Sequence, residues 1–132
     1  MPLIAQDKQR FSNVVKHEYE PTLAFCRAVV TANEAAATDY AIGTVLGKIT
    51  ASGKYVVAKE TATDGSKVPA AVVLEDKSIA AATDTKVLVA VSGPMILSKA
   101  GIALDATYDN AAKKAAAIAA LEALGILVND AV

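Results

Sequence analysis

Turn-forming residues divide the middle of the chain into apolar runs that are too short for helices. The turns are Ala51-Ser52-Gly53, Thr63-Asp64-Gly65-Ser66 and Ser92-Gly93-Pro94, and glycine readily takes the positive φ that tight turns need. The runs between them are rich in Val, Ile, Leu and Thr, which favour strands. We therefore predict short strands at residues 22–31, 44–50, 54–60, 71–75, 86–91 and 95–98.

Two details of this pattern narrow the fold class. Runs 44–50 and 54–60 are separated only by one turn, which predicts a hairpin. Run 86–91 has no polar residue after its first position, as expected for a strand buried on both faces. Residues 32–40 are rich in Ala, Asn and Asp and predict a loop or a short helical turn. No helical pattern separates the strand runs, which disfavours a parallel βαβ sheet.

The C-terminal part changes to a helical pattern. Residues 109–124 are dominated by Ala, Leu, Lys and Glu, which are strong helix formers. Thr107 or Asp109 can cap the start of this helix, and Gly125 stands where a helix stop is expected. An apolar stripe at three-residue spacing marks its buried face: Ile118, Leu121 and Leu124. A last strand at 126–128 completes a mainly β protein with one C-terminal α-helix, of the α+β class.

Residues 1–21 form a separate segment, which is charged and ends at Pro21. Its charge indicates a segment that does not fold alone, while its scattered apolar residues favour ordering against a partner. We predict an N-terminal arm over residues 1–21 and a single domain over residues 22–132. A frayed terminus without a binding role is the alternative. The candidate contacts of the arm are its apolar residues: Leu3, Ile4, Phe11, Val14 and Val15.

Residue types that carry catalysis are sparse. His17 is the only histidine and lies in the charged segment, whereas Cys26 is the only cysteine and lies in a predicted strand. A disulfide within the chain and a four-cysteine zinc site are therefore excluded. The acidic residues are dispersed over predicted turns and element ends, where turn and cap roles explain them. We predict no catalytic residue, no metal ligand and no cofactor.

The charge balance restricts the partners. Thirteen basic and fourteen acidic residues give a net charge of −1. No basic stripe of the kind that binds nucleic acid is present, and so little net charge permits self-association. No stretch approaches the ~20 apolar residues of a membrane span, and the first ten residues lack the apolar core of a secretory signal. We therefore expect neither nucleic acid nor a membrane as a partner.

Several segments, taken in order, resemble the phage lambda-type head decoration proteins. They are GTVLGKIT at 43–50, SGKY at 52–55, Asp64-Gly65-Ser66, AVVL at 71–74, residues 87–93 and ALEALGI at 120–126. The resemblance covers roughly residues 40–128 and implies a bent β-ribbon, or β-clip-like small barrel, with an extended N-terminal arm. The chain departs from the family pattern because it has no Trp and because its segment before Gly43 is long.

The resemblance also implies a function. It predicts a structural protein, not an enzyme, that binds the major capsid protein as a homotrimer on the outer surface of an expanded capsid. The protein would be assembled in the host cytoplasm and would brace the shell against internal DNA pressure, with its arm extending a capsid sheet. The alternatives are another virion or tail adaptor protein, or a nucleotide hydrolase on a β-clip scaffold. The hydrolase would need an acidic metal site beside a Gly-rich loop, which the sequence does not show.

Overall fold

The computed structural model describes residues 14–18, 26–99 and 101–129, and the protein is mainly β. Over these residues the chain forms nine strands, then one helix, then a tenth strand. In chain order they are β1 (Val15–Glu18), β2 (Arg27–Ala32), β3 (Thr38–Tyr40), β4 (Val45–Lys48), β5 (Tyr55–Val57), β6 (Pro69–Val73), β7 (Lys77–Ile79), β8 (Thr85–Ala90), β9 (Met95–Ser98), α1 (Ala111–Ala123) and β10 (Ile126–Asn129). The predicted mainly β architecture with one C-terminal helix is confirmed.

Five strands close into a small barrel in the order β2-β5-β4-β6-β8. The β4–β5 hairpin is antiparallel, as predicted, and β8 pairs with the whole length of β2. Closure between β2 and β5 depends on one parallel pair, Ala32 with Tyr55. Beyond that pair, the N–H of Asn33 donates to the Tyr55 carbonyl over 3.1 Å. The predicted small barrel is therefore confirmed, with one short seam.

Two apolar clusters fill the molecule, and the barrel strands contribute to both. In β6, Ala71 and Val73 belong to one cluster, whereas Val72 between them belongs to the other. In β8, Val87 and Val89 face the first cluster and Ala90 the second, which confirms the predicted burial on both faces. The second cluster joins the barrel to the three-stranded sheet β1-β9-β10 and to α1.

The three-stranded sheet β1-β9-β10 corrects one expectation. β1 is antiparallel to β9, but β10 is parallel to it, and α1 lies between β9 and β10 in the sequence. A parallel pair needs a long crossover connection, and α1 provides it here. The expectation against a βαβ unit was wrong for this sheet, because it considered only helical patterns between the earlier runs.

The helix ends differ slightly from the prediction. Asn110 is the N-cap, and its Oδ1 accepts from the Lys113 N–H over 2.9 Å. Thr107 and Asp109 were wrong as caps: the Thr107 hydroxyl donates to Asp105, and Asp109 pairs with the Lys113 ammonium. The stop was correct, because Gly125 takes a φ of +89° immediately after the helix.

The short pair β3–β7 replaces the predicted loop at residues 38–40. Thr38 pairs with Ile79 and Tyr40 pairs with Lys77. Tyr40 and Ile79 are both buried in the first apolar cluster, which also holds Ala71 and Val73. No run of strand-forming residues marks either strand, and the pair instead brings together two side chains that are buried, those of Tyr40 and Ile79.

Candidate functional site

Strand β1 fixes the N-terminal end of the described chain to the domain. It pairs with β9 from Val15 opposite Leu97 to Glu18 opposite Met95, with a register shift between residues 15 and 17. Val14 is 0% exposed and Val15 is 8% exposed, and both lie in the cluster that also holds Leu97. Full burial of one valine side chain is worth about 1.5–3 kcal/mol. These two residues therefore hold β1 firmly against the sheet.

An ion pair adds a second attachment for β1. The Arg27 Nε and Nη2 donate to the two carboxylate oxygens of Glu18, each over 2.6 Å. The Glu18 side chain is only 5% exposed, and that of Arg27 is 25% exposed. The hydrogen bond to Glu18 is the largest contribution to a raised pKa of Arg27. It joins the three-stranded sheet to the barrel, because Arg27 begins β2.

A close backbone contact lies beneath Val14. Gly43 has a φ of +99°, and a Cβ built on it would lie 2.2 Å from the Gly101 carbonyl oxygen and 3.3 Å from Val14 Cγ2. The Gly43 carbonyl accepts from Ala103 N–H over 2.8 Å. Only glycine fits this conformation and this space, so Gly43 allows Val14 and the backbone of Gly101 to pack closely against this turn.

The described chain begins and ends at the same end of β9. Val15 pairs with Leu97, and on the opposite edge Asn129 of β10 pairs with Ser98. The N–H of Lys99 also donates to the Asn129 carbonyl over 2.9 Å.

A groove lies next to this point, between α1 and residues 101–104. It consists of two adjoining depressions of about 380 Å³ and about 350 Å³, which share Lys99, Lys114 and Ile118. Apolar side chains make up most of its lining, together with Lys99, Lys114 and Glu122. We call it the α1 groove and define it by Lys99, Ile102, Leu104, Lys114, Ala115 and Ile118.

The five predicted arm contacts fall into two groups. Leu3, Ile4 and Phe11 lie outside the described residues. Val14 and Val15 are described and are buried in the protein's own core, so their side chains are not available to a partner while β1 is in place. The division of the chain at residues 21 and 22 stays a prediction, because residues 19–25 lie outside the described part.

Sequence reasoning missed strand β1, its ion pair and the α1 groove. Glu18 and Arg27 are nine residues apart and belong to different sheets, so no local spacing predicts their contact. For β1, the signal in the sequence is the pair of adjacent valines, Val14 and Val15, within a charged segment. The groove depends on how α1 packs against residues 101–104, which no periodicity reveals.

Acidic side chains have structural roles where they are described. Asp64 accepts from the backbone N–H and the hydroxyl of Ser66, and these bonds lower the pKa of Asp64. The buried carboxylate of Glu34 accepts from the Tyr40 hydroxyl and from the Val57 N–H, the latter over 2.8 Å. Burial, followed by the bond to Glu34, raises the pKa of Tyr40. These groups stabilise turns and the barrel seam.

No cluster of potential metal ligands is found in the described part of the chain. Over residues 14–18, 26–99 and 101–129, no three His, Cys, Asp or Glu residues come together in a way that would hold a metal ion. The thiol of Cys26 is buried and donates to the Pro94 carbonyl over 3.4 Å. His17 lies in β1, but its side chain is outside the described part. Among the described helical residues, none forms a helix long and apolar enough to cross a membrane.

Comparison with known proteins agrees with the resemblance drawn from the sequence. A family model described as bacteriophage lambda head decoration protein D matches residues 5–126. The matched region is most of the chain and contains β1, the whole barrel and α1. No curated protein matches the chain.

Proposed function

The chain belongs to the bacteriophage lambda head decoration protein D family, and from this premise we propose that it binds the capsid as a homotrimer through its N-terminal arm. It is a structural protein of the virion, located on the capsid surface, which it decorates and stabilises; it is not an enzyme. The family assignment thereby displaces the hydrolase and the tail adaptor considered from the sequence.

The attachment of β1 is the observation that supports binding through the arm. Buried Val14 and Val15 and the Glu18–Arg27 pair hold the root of the arm at one place on the domain. The proposed capsid contacts are Leu3, Ile4 and Phe11, while the burial of Val14 and Val15 supports an anchoring role for these two. A fixed root lowers the entropy lost when the arm orders on the major capsid protein.

The arm would bind by adding a strand to an exposed edge of a capsid sheet. Backbone hydrogen bonds would then supply affinity, and alternate apolar side chains would supply register. One such arm binds weakly, because ordering it costs entropy. Three arms held in one trimer act through effective concentration, which can raise overall affinity about 100-fold or more where the geometry matches. The net charge of −1 supports close association of the subunits, since self-repulsion is small.

Removal of residues 1–13 tests this function, because it deletes the proposed contacts and leaves β1 complete. We expect the truncated protein to lose cosedimentation with capsids of its phage that lack the decoration protein. Its unfolding temperature and its number of subunits in light scattering should equal those of the full chain. A matched control replaces residues 1–13 by a Gly-Ser segment of the same length and should also fail to bind. Normal capsid occupancy by either variant would overturn the role of the arm.

A further inference from the structure

We propose that residues 80–84 form a strap that holds the barrel closed at its short β2–β5 seam, with the Asp84 carboxylate as its latch, and that the seam opens locally when this latch is released. The proposal concerns a movement within the domain and does not depend on what the arm binds. It gives the loop between β7 and β8 a role in controlling the exposure of the seam.

The seam needs support from outside its two strands, because it contains little strand pairing. Ala32 pairs with Tyr55, and the Asn33 N–H donates to the Tyr55 carbonyl over 3.1 Å. Beyond this point a side chain continues the contact: the Glu34 carboxylate accepts from the Val57 N–H over 2.8 Å. On its other side, β2 pairs with β8 along all six of its residues. The β2–β5 side is therefore the weaker of the two.

Asp84 joins the two sides of this seam through one oxygen atom. Its Oδ1 accepts from the Asn33 side-chain amide over 2.7 Å and lies 2.9 Å from the Lys54 Nζ. Asn33 directly follows β2 and Lys54 directly precedes β5, so the two groups reach Asp84 from opposite sides of the seam. The bond from Asn33, followed by that from Lys54, lowers the pKa of Asp84, as expected for a carboxylate that both groups stabilise. The bridge is complete only while both bonds are made.

Ala82 attaches the strap a second time and is strained there. Its N–H donates to the Glu34 carbonyl over 2.7 Å, so the strap also holds the residue whose side chain continues the seam. Ala82 has a φ of +52°, in the left-handed region that is unfavourable for a residue with a Cβ. Such strain persists only where the surrounding contacts enforce it. Release of the strap relieves it, so the strain opposes closure and the Asp84 latch offsets it.

The latch is made of exposed groups. The Asp84 side chain is 55% exposed and that of Lys54 is 38% exposed, so water competes for both. Ion pairs of this kind add little to global stability, but they can shift a local equilibrium between a closed and an open seam severalfold. An exposed latch across a seam with few bonds therefore permits opening without unfolding of the core.

Hydrogen exchange of two amides, measured by NMR, reports on the seam. The N–H groups of Asn33 and Val57 are bonded across it, and each becomes accessible to water when it opens. The Leu74 N–H donates to the Leu88 carbonyl between β6 and β8, away from the seam, and serves as the reference. An equal rise at all three amides would show global unfolding and would overturn the proposal.

D84A removes the latch. We expect exchange at Asn33 and Val57 to rise about threefold, while the urea midpoint changes little. D76A is the matched control, because Asp76 is also exposed but accepts from the Ile42 N–H, away from the seam. It should leave exchange at the seam unchanged. Equal exchange in D84A and D76A would overturn the latch.

The bridge through one atom predicts a specific non-additivity. K54A should raise exchange at the seam by the same factor of about three, and D84A/K54A by no more than either change alone, because a bridge that has lost one end joins nothing. A rise of about ninefold in the double variant, the product of two independent effects, would overturn the shared latch.

A82G tests the strain with the opposite sign. Glycine adopts positive φ without this penalty, so the closed strap is favoured, and exchange at the seam should fall by about twofold or more. Unchanged or faster exchange in A82G would show that Ala82 is not released when the seam opens, and would overturn the movement of the strap.

Discussion

Glu18 and Arg27 are joined by two parallel hydrogen bonds of 2.6 Å, and this ion pair links the three-stranded sheet to the barrel. The pair is more enclosed than the Lys54–Asp84, Lys67–Glu60 and Lys113–Asp109 pairs, since the Glu18 side chain is only 5% exposed. Its geometry is the two-point arrangement that makes arginine–carboxylate pairs strong. The attachment of β1, and through it the presentation of the arm, depends on this contact.

Loss of the Glu18 carboxylate should destabilise the domain. E18A removes two charge-assisted hydrogen bonds from the partly buried Arg27 guanidinium, and we expect the free energy of unfolding to fall by about 1–3 kcal/mol in urea titrations. K54A, which breaks the exposed pair between Lys54 and Asp84, is the control and should cost about 0–1 kcal/mol. An equal effect of the two variants would contradict the structural importance of the Glu18–Arg27 pair.

A methyl group at Gly43 should be much more harmful than one at Gly53. Both glycines have positive φ, but the added Cβ at Gly43 would meet the Gly101 carbonyl oxygen at 2.2 Å, whereas at Gly53 the nearest atom is 3.8 Å away. We expect G53A to cost about 1–2 kcal/mol from backbone strain alone. G43A should exceed that cost by about 1–3 kcal/mol or more, because the backbone must move. Urea unfolding of both variants measures the difference, and equal losses would refute the close contact.

Removal of the Tyr40 hydroxyl should weaken the barrel near its seam. In Y40F the buried carboxylate of Glu34 keeps the bond from Val57 but loses the one from Tyr40. We expect a loss of about 1–3 kcal/mol, because a charged acceptor is left partly unsatisfied. Y108F removes a hydroxyl that donates to the Lys67 carbonyl, a neutral acceptor, and should cost only about 0.5–1.5 kcal/mol. The reverse order of stability would show that Glu34 does not depend on Tyr40.

Acid should destabilise the fold partly through Asp64 and Asp84. Hydrogen bonds from Ser66 lower the pKa of Asp64, and the Asn33 amide, followed by Lys54, lowers the pKa of Asp84. A carboxyl whose pKa is lower in the folded than in the unfolded state adds stability above its unfolded pKa, and this stability is lost as the pH falls through the folded pKa. The loss should therefore begin at about pH 4 and grow below it.

The double variant D64N/D84N should reduce this dependence on pH. We expect its urea midpoint to fall less steeply below about pH 4 than that of the unmodified protein. D39N changes an exposed aspartate on β3 and serves as the control. The same flattening in D39N would show that the effect does not arise from the hydrogen bonds of Asp64 and Asp84.

Local chemistry accounts for the parts of the fold that the sequence predicts correctly. Gly53, Gly65 and Gly125 all have positive φ, at two of the three predicted turns and at the predicted helix stop. The helix prediction succeeds because helix-forming residues continue over more than three turns. These features depend on residues that are close in the sequence, and they can therefore be predicted from it.

Features that depend on residues far apart in the sequence cannot be predicted in this way. The parallel pairing of β9 and β10 and the closure between Ala32 and Tyr55 bring together segments with no shared local pattern. The role of Val14 and Val15 is a further example: their apolar character predicts a contact, but not that β9 of the same chain is the partner. The α1 groove likewise exists only after the helix has packed.

The pairing of Ala32 with Tyr55 closes the barrel over a very short length of strand. Without it the five strands form an open ribbon, β5-β4-β6-β8-β2, whose two margins are joined by this pair and by the hydrogen bond from the Asn33 N–H to the Tyr55 carbonyl. Such a junction is the place where amide protons should exchange with solvent earliest, since few bonds must break to part the margins. Each parted margin is an unpaired strand edge, which another polypeptide can bind. The same short junction that completes the cylinder is thus also where its integrity is most easily lost.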